Sequence, residues 1–83
     1  MTAHQIMAIA INLSPQCRTV IAHMEKAGSI SYRDAFTDLD MTSATLASRI
    51  SQIDKAGIPI KRESKINPAT GKRYTRYSIK HTS

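Results

Sequence analysis

The 83-residue chain has one cysteine, no tryptophan, three glycines, three prolines and only six acidic residues. A single thiol, Cys17, forms no internal disulfide, which excludes a disulfide scaffold and fits a reducing, cytoplasmic setting. The longest apolar run, from Ile6 to Ile11, is far short of the roughly 18 residues that cross a bilayer. No basic stretch precedes it, so a secretory signal is not expected. His4, His23 and His81 stand at no metal-ligand spacing with one another or with Cys17, and no zinc site is expected. Thr70-Gly71-Lys72 lacks the upstream glycine and the Ser/Thr of a phosphate-binding loop. No paired carboxylates fall in an apolar setting, and Cys17 lies on an apolar helical stripe where burial outweighs nucleophilic duty. The chain is therefore read as no enzyme, with no cofactor and no metal. A chain of this length buries only about 60–65% of its unfolded surface, enough for one modest core and little room for a cleft and lid.

Acid is scarce in one place above all. Residues 1–57 hold five basic and five acidic residues, whereas residues 58–83 hold Lys61, Arg62, Lys65, Lys72, Arg73, Arg76 and Lys80 against Glu63 alone. The whole net charge of +6 therefore lies in the last third of the chain. A surface made only for solubility intersperses both signs, so this segregation points to a polyanionic partner, nucleic acid foremost.

The punctuation marks the elements. Ser14-Pro15 is a helix start, with a capping hydroxyl followed by proline at the first helical position. Cys17, Val20, Ile21, Met24 and Ala27 follow at helical spacing, and Gly28 supplies a left-handed stop. Ile30 has room for a very short strand. Ser31 and Asp34 have capping-box spacing and open a short helix from Tyr32 to Leu39, with Ala35, Phe36 and Leu39 as its inward stripe. Asp40 or Thr42 caps the next helix, 42–56, closed by Gly57. Its Leu46, Ile50 and Ile53 fall within about 60° of one another on the wheel. The opposite face collects Ala44, Thr45, Ser48, Ser51, Gln52 and Lys55, none of them acidic.

After Gly57 the period shortens to two. Ile58 and Ile60, then Thr75, Tyr77 and Ile79, alternate with polar or basic neighbours around the turn signal Asn67-Pro68-Ala69-Thr70-Gly71. This predicts a β-hairpin whose Ile58, Ile60, Tyr77 and Ile79 close the core, with Pro59 at an edge or strand start. Residues 1–13 form a further helix with two apolar stripes: Ile6, Ile9, Ala10 and Leu13 on one side, Met7 and Ile11 on another. A helix with two apolar faces on so small a domain needs two things to cover it: either it packs into the core of its own chain, or its spare face pairs with a second copy.

This order makes a mainly α fold with a small β-hairpin: a winged helix-turn-helix of three core helices and a basic wing, with an extra N-terminal helix. The expected division is residues 1–13, a self-association segment, and residues 14–83, the winged domain. A recognition helix needs a face free of acid and bulk so that its backbone approaches the base edges. Ser43, Ala44, Thr45, Ser48, Arg49, Gln52 and Lys55 are the candidates for the major groove. Arg49 borders the buried stripe, and an internal acid, Asp38 or Asp54, competes with DNA for it. Lys61, Arg62, Lys65, Lys72, Arg73, Tyr74 and Arg76 of the wing are the candidates for phosphates or a narrow minor groove, with no local acid but Glu63. Tyr74 either stacks on the nucleic acid or covers a neighbouring cation. The hairpin lacks the paired aromatics of a sheet-stacking RNA module.

Gln16-Cys17-Arg18-Thr19-Val20-Ile21-Ala22-His23-Met24, Gly28-Ser29-Ile30, Leu46-Ala47-Ser48-Arg49-Ile50 with Lys55-Ala56-Gly57, and Gly71-Lys72-Arg73-Tyr74-Thr75-Arg76-Tyr77 resemble a family of small helix-turn-helix proteins. Its members are encoded mostly by bacteriophages and prophages. The resemblance spans roughly residues 15–80 and implies a winged fold, double-stranded DNA as partner and no cofactor. Short side chains on the recognition face allow few two-pronged base contacts, so a homodimer or cooperative binding is expected. A host protein complex is the alternative partner, and no membrane is expected to be one.

Overall fold

A computed structural model describes residues 2–80, and His81 lies outside the described residues. Helix α1 (Ala3–Ala10) starts at a reciprocal cap: the Thr2 hydroxyl accepts the Gln5 N–H at 3.2 Å, and the Gln5 side-chain carbonyl accepts the Thr2 N–H at 2.9 Å. Helix α2 (Pro15–Ala27) starts where the Ser14 hydroxyl accepts the Cys17 N–H. It stops at Gly28, whose φ of +87° is open only to a residue without a Cβ clash. Strand β1 (Ile30–Ser31) runs directly into α3 (Tyr32–Leu39), with Ser31 and Asp34 exchanging side-chain-to-backbone bonds at the boundary. Each such cap contributes about 1 kcal/mol.

Asp40 closes α3 in the left-handed region (φ +54°), and the Met41 N–H reaches back to the Ala35 carbonyl at 3.0 Å. That conformation removes Asp40 as a cap for the following helix. Thr42 takes the role, its hydroxyl accepting the Thr45 N–H at the start of α4 (Ser43–Lys55).

Strands β2 (Ile60–Ile66) and β3 (Arg73–Ile79) form the hairpin, and the antiparallel order is β1-β3-β2. Pairing of Ile30 with Tyr77 and Ser31 with Arg76 stitches the base of the wing to the helical body. Pro59 sits just ahead of the edge strand β2, where its missing N–H costs nothing, and its carbonyl accepts the Lys80 N–H. Ile58 precedes the strand instead of belonging to it, because its N–H is taken by the Ile53 carbonyl of α4.

The core draws apolar side chains from every element: Ile6 and Ala10; Val20, Ile21 and Met24; Ile30; Ala35; Leu46, Ile50 and Ile53; Ile58, Ile60 and Ile79, with Tyr77 packed against it. No aromatic ring is fully buried among the described residues. Two expected members of the stripes lie outside the core. Ala27 ends α2 beside Gly28 and is exposed. Phe36 is 59% exposed: Ala35 and Leu39 turn inward, and Phe36, about 60° away from Leu39 on the wheel, pairs across one turn with Tyr32 instead. Among the described residues no helix is long and apolar enough to cross a membrane, and no three His, Cys, Asp or Glu side chains converge as a metal site would require.

Candidate nucleic-acid interface

Helix α4 turns Leu46, Ile50 and Ile53 into the core, leaving Ser43, Ala44, Ser48, Gln52 and Lys55 exposed. Thr45 is half-buried, and its hydroxyl accepts a hydrogen bond from Thr42 at 3.0 Å. Arg49 meets neither of the acids anticipated for it. Its guanidinium donates to the Gln52 side-chain carbonyl at 3.1 Å, and the buried Cys17 thiol donates to the same oxygen at 3.3 Å. Asp38 is engaged by His23 (3.3 Å) and Asp54 by Arg62 (3.6 Å), and among the described residues no acid lies within ion-pair distance of Arg49. Gln52 therefore has its carbonyl committed inward, and its NH₂ group is the part left to donate.

The flanks of α4 fix its neighbours. Gln52 and Arg49 face α2, whereas Asp54 reaches Arg62 of β2 from the opposite flank. Between them runs the acid-free strip of Ala44, Ser48 and Lys55. The base of the wing thus borders that strip along the last turns of the helix.

Cross-strand register divides the wing into two faces. Lys61, Glu63 and Lys65 share one with Tyr74 and Arg76; Arg62 shares the other with Arg73, Tyr77 and the core isoleucines Ile60 and Ile79. The wing carries less free charge than its sequence suggests. Arg76 donates from both terminal nitrogens to one Asp34 oxygen (3.1 and 3.3 Å), because β1 brings the start of α3 against β3. Arg62 pairs with Asp54 and lies 5.9 Å over the Tyr77 ring. The expectation that Glu63 is the sole local acid fails for these two residues, since their partners come from helices outside the hairpin: Asp34 of α3 for Arg76 and Asp54 of α4 for Arg62. Tyr74 is covered by the Arg76 guanidinium, 6.0 Å from its ring centre.

Glu63 bonds Lys61 at 2.7 Å and Lys65 at 3.0 Å. The hydrogen bond from Lys61, then that from Lys65, holds its carboxyl down at about 2 from an ordinary 4.5. A carboxylate with a lowered folded-state pKa contributes stability that is present above pH 4.5 and lost as pH falls toward 2. An NMR titration of the Glu63 carboxyl is expected to show a midpoint near 2 in dilute buffer. In molar salt the midpoint should move back toward 4.5, because the pair is solvent-exposed and screened. A midpoint near 4.5 at both salt levels would show that the two lysines are not engaged.

Lys72 and Arg73 remain. They flank a built turn in which the Gly71 N–H meets the Asn67 carbonyl at 2.7 Å and the Asn67 side chain accepts the Ala69 N–H at 2.9 Å. Both cations are exposed, and among the described residues no acid lies within ion-pair distance of either.

Three residues not anticipated as part of a site, Tyr32, Arg33 and Phe36 of α3, face the wing tip across an open trough of about 840 Å³. The Tyr32 and Phe36 rings stand 6.5 Å apart at 46°. Their signal in the sequence is an aromatic pair four residues apart beside an arginine, which the apolar reading of Phe36 concealed.

No curated protein and no solved structure matches the chain. A family model described as a winged helix-turn-helix domain matches residues 15–82, which takes in α2, the α3–turn–α4 unit and the whole wing. A fold of this kind suggests DNA as the partner. With that match over most of its length and the β1-β3-β2 wing behind three helices, the chain belongs to the winged helix-turn-helix domain family.

Proposed function

We propose that the protein binds double-stranded DNA in a sequence-dependent way, as a phage-type transcriptional regulator or an excision or architectural factor. Helix α4 enters the major groove through Ser43, Ala44, Ser48 and the free NH₂ group of Gln52, with Lys55 at its far end. The wing grips phosphates or an adjacent minor groove, chiefly through Lys72 and Arg73, with Lys61 and Lys65 recruited from Glu63. One observation carries this reading: the acid-free strip of α4 is bordered by a wing whose tip cations have no protein partner among the described residues. Four to six neutralised phosphates give log K a slope of about −4 to −5 against log salt. Mobility shift across a salt series measures it, and a slope near zero would end the proposal. Selection from a random duplex pool then separates the roles: a sharp motif marks a regulator, a diffuse AT-rich preference an architectural factor.

Helix α1 supports a second element of the proposal. Ile6 and Ala10 are buried in the common core, but Met7 is 64% and Ile11 70% exposed, and Met7 lines a groove with Ile21 and Ala22 of α2, rimmed by Arg18, Glu25 and Lys26. We assign this apolar stripe to a second copy of the chain, which doubles the base contacts that short side chains limit. Because α1 also contributes core residues, the test is Met7→Glu with Ile11→Lys instead of truncation. Sedimentation is expected to show a dimer for the parent chain on DNA and a monomer for the variant. A parent chain that stays monomeric with and without DNA removes the dimer and leaves a host protein as the occupant of that stripe.

A further inference from the structure

The chain has four aromatic residues, and none is used to fill the core completely. Three of them, Tyr32, Phe36 and Tyr74, line the trough between α3 and the wing tip, and a fourth, Tyr77, is held under Arg62. Tyr74 already carries the Arg76 guanidinium on its ring, but Tyr32 and Phe36 are more than half exposed. Rings of this size normally gain most by burial, so leaving these two on one open surface calls for a ligand that rewards flat, exposed π-faces. The rim is cationic. Arg33 lies on the α3 side, Lys72 and Arg73 on the wing side, and the trough's own carboxylate, Asp34, is neutralised by Arg76. Aromatic faces flanked by unpaired cations are what an unpaired nucleic-acid strand requires: bases stack and the backbone meets the charges. A duplex offers its base faces to no such surface. An acidic peptide would satisfy the cations but leave the rings without a matching plane.

We infer that the α3–wing trough is a second nucleic-acid site, one that takes splayed-out nucleotides of single-stranded DNA. It extends the duplex reading, since Lys72 and Arg73 serve both sites, but Tyr32 and Phe36 belong to this one alone. A protein with both sites would sit where duplex meets unpaired strand.

The chain lacks tryptophan, so Phe36→Trp introduces a sole reporter at an exposed position. Its emission is expected to be quenched saturably by a short oligo-dT and not by a blunt duplex. Phe36→Ala and Tyr32→Ala, both on exposed side chains that leave circular dichroism unchanged, should each weaken oligo-dT binding about tenfold and leave duplex binding as it was. Absence of quenching by oligo-dT, equal quenching by the duplex, or quenching by poly-glutamate alone would each overturn the inference. Duplex mobility shift of the parent chain is read separately, so failure of this site and failure of the duplex proposal are told apart.

Discussion

Replacing Lys72 and Arg73 together by alanine is expected to weaken duplex binding about 60-fold at 0.1 M salt and to flatten the salt slope by nearly two. Each phosphate neutralised by a cation releases close to one counterion, so each lost contact removes about 0.9 from the slope and a comparable decade of affinity at that salt. These two residues carry the largest effect because no carboxylate holds them in the free protein, whereas Lys61 and Lys65 must leave Glu63 and Arg62 must leave Asp54 before they meet a phosphate. Lys72 ends a turn held by its own backbone and Asn67 bonds, Arg73 opens β3 beside it, and both are exposed, so the variant should melt with the parent chain. Arg76→Ala serves as the contrasting measurement. Its guanidinium ties β3 to Asp34 of α3, so its removal should loosen the docking of the wing and leave the salt slope nearly intact. If Arg76→Ala flattens the slope as much as the double variant does, the assignment of phosphate contacts to the tip is wrong.

Ile53→Ala is expected to cost about 2–4 kcal/mol and to lower the melting temperature by about 10–25 °C, measured by thermal circular dichroism. Ile53 has no solvent exposure, shares the aliphatic cluster with Ile50 and Ile58, and its carbonyl receives the Ile58 N–H where α4 hands over to the wing. Removing its outer carbons leaves a void in a core rich in isoleucine, whose side chains are stiff and collapse poorly. A domain of this size is stable by roughly 4–12 kcal/mol, so this one substitution takes a large share of the total. Ser48→Ala, on the exposed face of the same helix, should leave the melting temperature unchanged. A loss below about 1 kcal/mol for Ile53→Ala would mean that the joint between α4 and β2 is not closed as described.

Much of the architecture was legible because its causes are local. Ser14-Pro15 and Gly28 delimit α2, the Ser31–Asp34 pair opens α3, and the change of period after Gly57 announces the wing, each through bonds spanning a few residues. The buried stripe of α4 followed from helical geometry alone. The errors arose where the wheel left two answers open or where partners came from afar. Phe36 lies at the margin of an apolar stripe, and only packing of the neighbouring elements decided that it stays outside. Arg49 had two acids as candidate partners from the sequence, but in the fold those acids are engaged by His23 and Arg62, and Arg49 donates to Gln52 three residues along its own helix.

By itself the sequence determined which segments are helix and strand, the segregation of positive charge into the last third of the chain, and the absence of acid from one side of α4, since these depend on residue type and near neighbours. The tertiary structure alone decided which of those charges are free. Asp34 and Asp54 lie 42 and 8 residues from the arginines they engage, and only the docking of β1 on β3 and of α4 beside β2 brings them within ion-pair distance. Charge is a property of composition, but its availability to a partner is set by what the fold places next to it.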